Sequence, residues 1–235
     1  MSTAQKRTRK EPSQRRAEII DAACALADEI GLDRLTGRDV AARVGVTSGL
    51  LHHYFPHVDD VIVEAFRWVV TADTHRLGDG LDGLRPLDAL SEFLRRSLSP
   101  DREPALTMWM SAWVAAPRRQ KLAHEVEHQM KDGIHLLARL LERGVEAGDF
   151  RVSDNERTAW RILVMLDGAA VQRTIRFRAH PIDDLTELVS QVAERELGLP
   201  PGALLSRADE AVELTDASTP AAHAGRQRPA GQRHG

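Results

Sequence analysis

A chain of 235 residues, 42% hydrophobic and 29% charged, is long enough for one large or two smaller domains with real cores. Its single cysteine, Cys24, excludes an intramolecular disulfide framework, and no stretch approaches the roughly 18 consecutive apolar residues of a membrane span. A net charge of −3 argues against an indiscriminate nucleic-acid binder, and a basic, polar N-terminus without an apolar run is no signal peptide, so a cytoplasmic chain without a membrane partner is expected.

The charge is unevenly spread. Residues 1–16 carry Lys6, Arg7, Arg9, Lys10, Arg15 and Arg16 against Glu11 alone, a local net of +5. Such a run reads either as a solvated tail or as an arm that meets phosphates, and residues 1–14 are expected to be flexible. From Arg15 onward Ile19, Ala22, Ala23, Leu26, Ala27 and Ile30 recur at helical spacing, and Gly31 supplies a stop. Thr36 is placed to cap a short helix over 37–44 that turns Val40, Ala41 and Val44 inward and ends at Gly45. Thr47 caps another short helix, carrying Leu50, Leu51 and Tyr54, which Pro56 breaks. Two short helices joined by a tight turn make a helix-turn-helix, whose second helix is free to enter a major groove.

The spacing then predicts helices over 59–77, 86–98, 104–115, 117–147, 154–178 and 182–198, punctuated by Gly78-Asp79-Gly80, Pro86, Pro104, Pro117, Gly148-Asp149 and Pro181. No segment alternates as a strand does. The expected fold class is all-α, with an N-terminal three-helix helix-turn-helix domain over 15–60 and a larger helical ligand-binding and dimerisation domain over 61–199. After Leu199 the composition turns to Pro, Ala, Gly, Arg and His, so 200–235 is expected to be mostly disordered, with a short helix within 203–214 left open.

The stretch from Arg15 to Phe66 resembles the DNA-binding domain of the TetR family of bacterial transcriptional regulators. The resemblance rests on a first helix ending in Gly31, the "LT" before helix two, the "VAARVGV" turn and the closing "GLLHHYF". Residues 104–178, through "MWMSAWVAAPRRQKL", "LLERGVEAGDF" and "LVMLDGAAVQ", are similar in architecture to the regulatory domain of the family's choline-responsive betaine regulators. The family commonly has Tyr where His52 stands and Lys where Val58 stands, both touching DNA phosphates, so the resemblance implies that affinity here leans more on the basic arm. It also implies a ligand-responsive regulator, most simply a repressor. A small molecule entering the C-terminal domain favours a conformer in which the helix near 59–77 swings the recognition helices out of groove spacing.

Spacing puts Thr47, Ser48, Gly49, His52 and His53 on the early or outward face of the third helix. Thr47 and Ser48 are small donors and acceptors suited to phosphates or base edges, and Gly49 permits close approach. His52, His53 and Tyr54 can donate to phosphate oxygens, although Tyr54 can equally pack the domain. Thr36 and Arg38 begin helix two, where the helix dipole favours a phosphate, and Thr36 is equally readable as a cap alone. One such unit buries too little groove surface for selective binding, so the expected partner is double-stranded DNA with an inverted repeat, read by a homodimer. Residues 159–171, apolar on nearly all faces, and the stripe Leu185, Leu188, Val189 and Val192 resemble the family's four-helix dimer interface.

Trp68, Trp109, Met110, Trp113 and Asp167 are candidate effector contacts: the aromatics either anchor the core or line a cavity for a cation, and Asp167 interrupts an apolar run and needs a partner. "HEVEH", residues 124–128, raises the alternative of a zinc-dependent hydrolase of the HExxH type. The predicted core stripe of that helix is Leu122, Val126, Met130, Ile134, Leu137 and Leu141, which leaves His124, His128 and His135 on the far side. Glu142, a nearby third ligand, lies about 21 Å along the same helix from His128. No catalytic residue, resident metal or cofactor is therefore expected. A helical DNA binder without an effector is the third reading.

Overall fold

The computed structural model describes residues 11–174 and 182–205, which form nine α-helices and no strand. They are α1 (Pro12–Ile30), α2 (Gly37–Val44), α3 (Ser48–Tyr54), α4 (Val58–Gly78), α5 (Pro86–Ser97), α6 (Glu103–Ala115), α7 (Gln120–Glu146), α8 (Asn155–Thr174) and α9 (Ile182–Leu197). Local chemistry sets the ends. Pro12 stands in the first turn of α1, where its missing N–H costs nothing. The Thr36 hydroxyl accepts the Asp39 N–H at 3.3 Å while the Asp39 carboxylate accepts the Thr36 N–H at 3.2 Å, a reciprocal cap on α2. Gly45, at φ 72°, ends α2 in the left-handed conformation that the tight turn into α3 requires.

Two differences from the sequence expectation concern the chain ends. Helix α1 takes in residues 12–14 of the expected flexible arm, and Arg15 and Arg16 lie within it, so the arm proper is shorter. At the other end residues 200–204 fold back. The N–H groups of Gly202 and Leu204 donate to the Glu194 carboxylate at 3.0 and 2.9 Å, Ser91 Oγ donates to the Leu204 carbonyl at 3.1 Å, and Leu204 is only 2% exposed. The arm's first ten residues, positions 175–178 of the helix predicted over 154–178, and the tail beyond 205 lie outside the described residues.

Two cores share the long helices. One gathers Ile19, Leu35, Val40, Leu51 and Phe55 of the first three helices and their links onto Val61, Ile62 and Phe66 of α4, Met108 and Ala112 of α6, and Leu122 of α7. The other packs the far end of α4 with α5, the second half of α7, α8 and α9 around Phe93, Leu137, Leu141 and Phe150. The helix-turn-helix is therefore seated directly on α4 and α6, and its core continues past residue 60.

At Gly144, within α7, a Cβ would lie 2.0 Å from the buried Phe150 ring. Gly144→Ala is expected to lower stability by about 1–3 kcal/mol, the usual range for overpacking, read as a lower urea midpoint at unchanged slope.

Candidate functional site

Helix α3 turns Leu51 and Phe55 into the core and leaves Thr47, Ser48, Gly49, His52 and His53 exposed, with Leu50 partly exposed beside them. Nothing lies within 4 Å of where a Cβ at Gly49 would stand, so this face can be approached closely. Ser48 and His52 share a groove with exposed Arg38 of α2 and with His57 and Lys121, neither of which sequence spacing had singled out.

Hydrogen bonding sorts the expected contacts. Thr36 is committed locally, its hydroxyl donating to Asp39 Oδ2 at 2.5 Å while accepting the Asp39 N–H. Thr47 caps α3 by accepting the Leu50 N–H at 3.3 Å, which leaves its hydroxyl proton free to donate. His52 Nδ1 sits 3.2 Å from the Pro56 carbonyl and must carry a proton to make that bond, so only the doubly protonated ring can also donate from Nε2 to a phosphate. Tyr54 is half-buried, with its ring edge-on to His53 at 5.3 Å. Arg16, counted in the basic arm by sequence, instead staples the domain: it donates to the Tyr54 carbonyl at 3.2 Å, pairs with Glu64 and stacks 4.2 Å over the Phe55 ring.

A cavity of about 90 Å³ lies between α4, α5, α6, α7 and α8. Trp109, Trp113 and Trp160 supply aromatic walls, and Gln129, Arg102 and Asp167 supply polar groups. Two of the expected effector residues are elsewhere. Trp68 projects from the outer side of α4 at 64% exposure, and Met110 of α6, half-buried, is not among the residues that line the cavity. Helical phase accounts for Trp68, which stands two residues, about 200° around the helix, from buried Phe66. Met130, expected in the core stripe of α7, is a partly exposed cavity wall. With so little enclosed space, the cavity admits a small molecule or a head group, and a larger ligand must displace Met130 or Trp160, whose side chains reach solvent.

The cavity's two charges differ in kind. Arg102 is held by Asp73, which accepts at 3.0 Å from Nε and at 2.7 Å from Nη2, and by the Ser97 carbonyl at 2.9 Å. Asp73 was not singled out by sequence; it lies on the apolar stripe Phe66, Val70 and Leu77 of α4, a position from which its burial could have been read, and it also pairs with Arg76 at 2.7 Å. Asp167 accepts no hydrogen bond from any described side chain, and burial pushes its carboxyl up to about 6, with Arg102 pulling weakly the other way. The aromatic wall in turn reaches the other site: Trp109 packs edge-on against Phe66 at 5.1 Å and lies 5.6 Å from Trp113.

HEVEH does not converge on a cleft. Glu125 is turned inward, accepting from Arg67 Nε at 2.9 Å, Arg67 Nη2 at 2.5 Å and Gln129 Nε2 at 2.9 Å, so it ties α7 to α4. His124 and His128 are exposed to solvent, with His128 Nε2 3.6 Å from Asp132. Among the described residues no group of three or more His, Cys, Asp or Glu side chains can hold a metal ion. Burial pushes the Cys24 thiol up to about 11, away from the thiolate that redox or nucleophilic chemistry needs.

Among the described residues an apolar surface lies exposed on α8 and α9. Trp160, Val164 and Val171 of α8 and Leu188 of α9 are exposed, while Val189, expected in the same stripe as Leu188, is buried in the core. No helix among the described residues is long and apolar enough to cross a membrane.

Comparison with known proteins follows this division. Residues 19–65 match the family described as bacterial regulatory proteins, tetR family, and residues 86–198 match BetI-type transcriptional repressor, C-terminal. The chain is 28% identical over 157 residues to the HTH-type transcriptional repressor KstR2 of Rhodococcus jostii, covering 64% of this chain and 75% of that protein. To the HTH-type transcriptional regulator BetI of Burkholderia lata it is 31% identical over 121 residues, 47% of this chain and 60% of that one. A crystal structure of a putative transcriptional regulator from Saccharomonospora viridis in complex with choline superposes with a TM-score of 0.69 at 21% identity, covering 79% of this chain and 98% of the other.

Proposed function

The chain belongs to the TetR family of bacterial transcriptional regulators, with a BetI-type C-terminal domain, and from that premise we propose that it is a homodimeric repressor released from an inverted-repeat operator by a small cationic effector. Its DNA-binding, ligand-responsive character follows from the family. The observation that carries the mechanism is the Trp109–Phe66 contact, because it joins a wall of the effector cavity to the core on which the helix-turn-helix sits.

In this reading Ser48, Thr47, His52 and His53 enter the major groove, Gly49 lets the backbone approach, and Arg38 holds a flanking phosphate. Thr36 and Tyr54 keep the local fold in shape. The uncovered face of α8 and α9 joins two copies, as an exposed apolar surface of this kind favours, and the pair reads two half-sites in the cytoplasm. The effector class is read from Asp167 among three tryptophans: a cation regains the solvation that the buried carboxylate lacks, and the indole faces add cation–π attraction. Choline in the Saccharomonospora viridis regulator is a ligand of this chemistry. Occupancy parts α6 from α4, and since the ligand binds only the parted form well, it shifts the pair away from groove spacing. Glu125 of HEVEH serves this switch as the tie between α7 and α4 rather than as a hydrolytic base.

Selection of bound duplexes from a random DNA pool, followed by sedimentation of the complex, tests the proposal. An enriched inverted repeat bound by two chains is the expected result. A single unrepeated site, or no enrichment by folded protein, would remove the dimeric repressor.

A further inference from the structure

Beside the DNA-facing groove, the start of α4 carries two adjacent acids, Asp59 and Asp60. Asp59 lines the same groove as Arg38, Ser48 and His52. Carboxylates there oppose the approach of phosphates, because exposed charges interact over a screening length of about 8–10 Å at physiological salt. Both are matched by cations from the regulatory domain. Arg119, immediately before α7, places Nη1 2.5 Å from Asp59 Oδ1, and Lys121, in the first turn of α7, places Nζ 2.5 Å from Asp60 Oδ1. The hydrogen bond from Lys121 holds the Asp60 carboxyl below its ordinary range, so the pair stays ionised.

Arg119 is also anchored beyond the pair. Its Nη2 donates to the carbonyls of Asp33 and Leu35 at 3.3 and 3.4 Å, on the link between α1 and α2. Ser111 of α6 accepts the Leu32 N–H at 2.6 Å in the same link. Helix α6 thus touches the helix-turn-helix through Ser111 and the effector cavity through Trp109 and Trp113, and it runs directly into the corner that carries Arg119 and Lys121.

We propose that the DNA-binding surface extends onto the regulatory domain, with Arg119 and Lys121 masking Asp59 and Asp60, so that any displacement of the α6–α7 corner exposes two negative charges beside the DNA. The inference rests on the DNA-binding reading above and adds an electrostatic route to release. Moving the recognition helices apart weakens binding by geometry. Unmasking weakens it by charge, and it acts on the phosphates of any sequence.

The test compares two double variants that break the same two ion pairs. In Arg119→Ala/Lys121→Ala the acids are left bare, and affinity is expected to fall on the order of tenfold, as for loss of favourable charge at an interface rim. In Asp59→Asn/Asp60→Asn the ion pairs are equally lost, yet affinity is expected to equal or exceed that of the natural sequence. Asparagine at position 60 keeps an oxygen to accept the His57 N–H that caps α4. Binding is measured without effector on a mixed-sequence duplex at low salt and on the selected operator, with thermal melts to verify folding. If the pairs only clamp the two domains, both variants weaken binding alike, and that result overturns the proposal. So does unchanged binding by folded Arg119→Ala/Lys121→Ala protein. Failure of the natural chain to select an inverted repeat bears on the operator reading alone, because masking is also read on the mixed-sequence duplex.

Discussion

Asp167→Asn is expected to make the ligand-free protein more heat-stable and to abolish its binding of a cationic effector. Burial raises the carboxyl from its ordinary value of 3.8 to about 6, so the folded state holds the proton more tightly than the unfolded chain does. The stability linked to that proton is present below the unfolded value, declines as pH rises from about 4 through about 6, and is absent at neutrality. A shift of about two units corresponds to roughly 3 kcal/mol at the upper limit, and the asparagine amide, itself in need of partners, recovers only part of it. A gain of a few degrees in melting temperature at pH 7.5 follows for a chain of this size.

Choline is a suitable probe because its charge does not change with pH, so any pH dependence of binding belongs to the protein. The natural sequence should bind it well at pH 8 and progressively less as the pH falls through about 6, where the carboxyl becomes neutral. The asparagine variant should bind poorly and without that dependence. Calorimetric titration giving equal affinity at pH 5 and pH 8 would take Asp167 out of the site.

Asp73→Ala is expected to be among the most damaging single substitutions. It leaves the Arg102 guanidinium, mostly buried and held by three charge-assisted bonds, without its counter-charge. Removing one partner of a buried pair typically costs about 3–5 kcal/mol. The freed guanidinium also has a new target, since its charge already acts on Asp167 across the cavity. An ion pair there would satisfy the carboxylate from within, so choline binding should fall together with stability. Adding Arg102→Leu should recover part of the urea midpoint, because it removes the stranded charge. A double variant no more stable than Asp73→Ala would show that the cost lies in lost packing around position 73.

Those two acids illustrate what was legible in the sequence. Asp167 interrupts an apolar run, which announces a buried carboxylate with an unmet requirement, whereas Asp73 is followed by polar Thr74, His75 and Arg76 and did not stand out. For Asp73 a local partner, Arg76, stands three residues on at 2.7 Å, but the buried one, Arg102, reaches it from 29 residues away and could not be read. Spacing along the helix argued against HEVEH as a metal site, but the partner of its Glu125 was hidden in the same manner. Two histidines and a glutamate at helical spacing are identical in sequence whether the glutamate faces a metal or an arginine, and Arg67 lies 58 residues from Glu125.

What the sequence determined by itself is local. Apolar spacing, the Thr36 cap and the glycine and proline stops place the nine helices of the described residues to within a few residues, because each depends on neighbours within one or two turns. The same locality carried the helix-turn-helix and its outward face, since α3 is too short for its phase to drift. Tertiary structure decided how faces were matched: Trp160 rather than Trp68 in the cavity, Arg16 stacked on Phe55, Leu204 folded onto α5 and α9, and Arg119 and Lys121 against the acids of α4. Periodicity says that a helix has an apolar side, but the element that covers it is chosen by packing between segments far apart in the chain, and the pairing of charges follows from that choice.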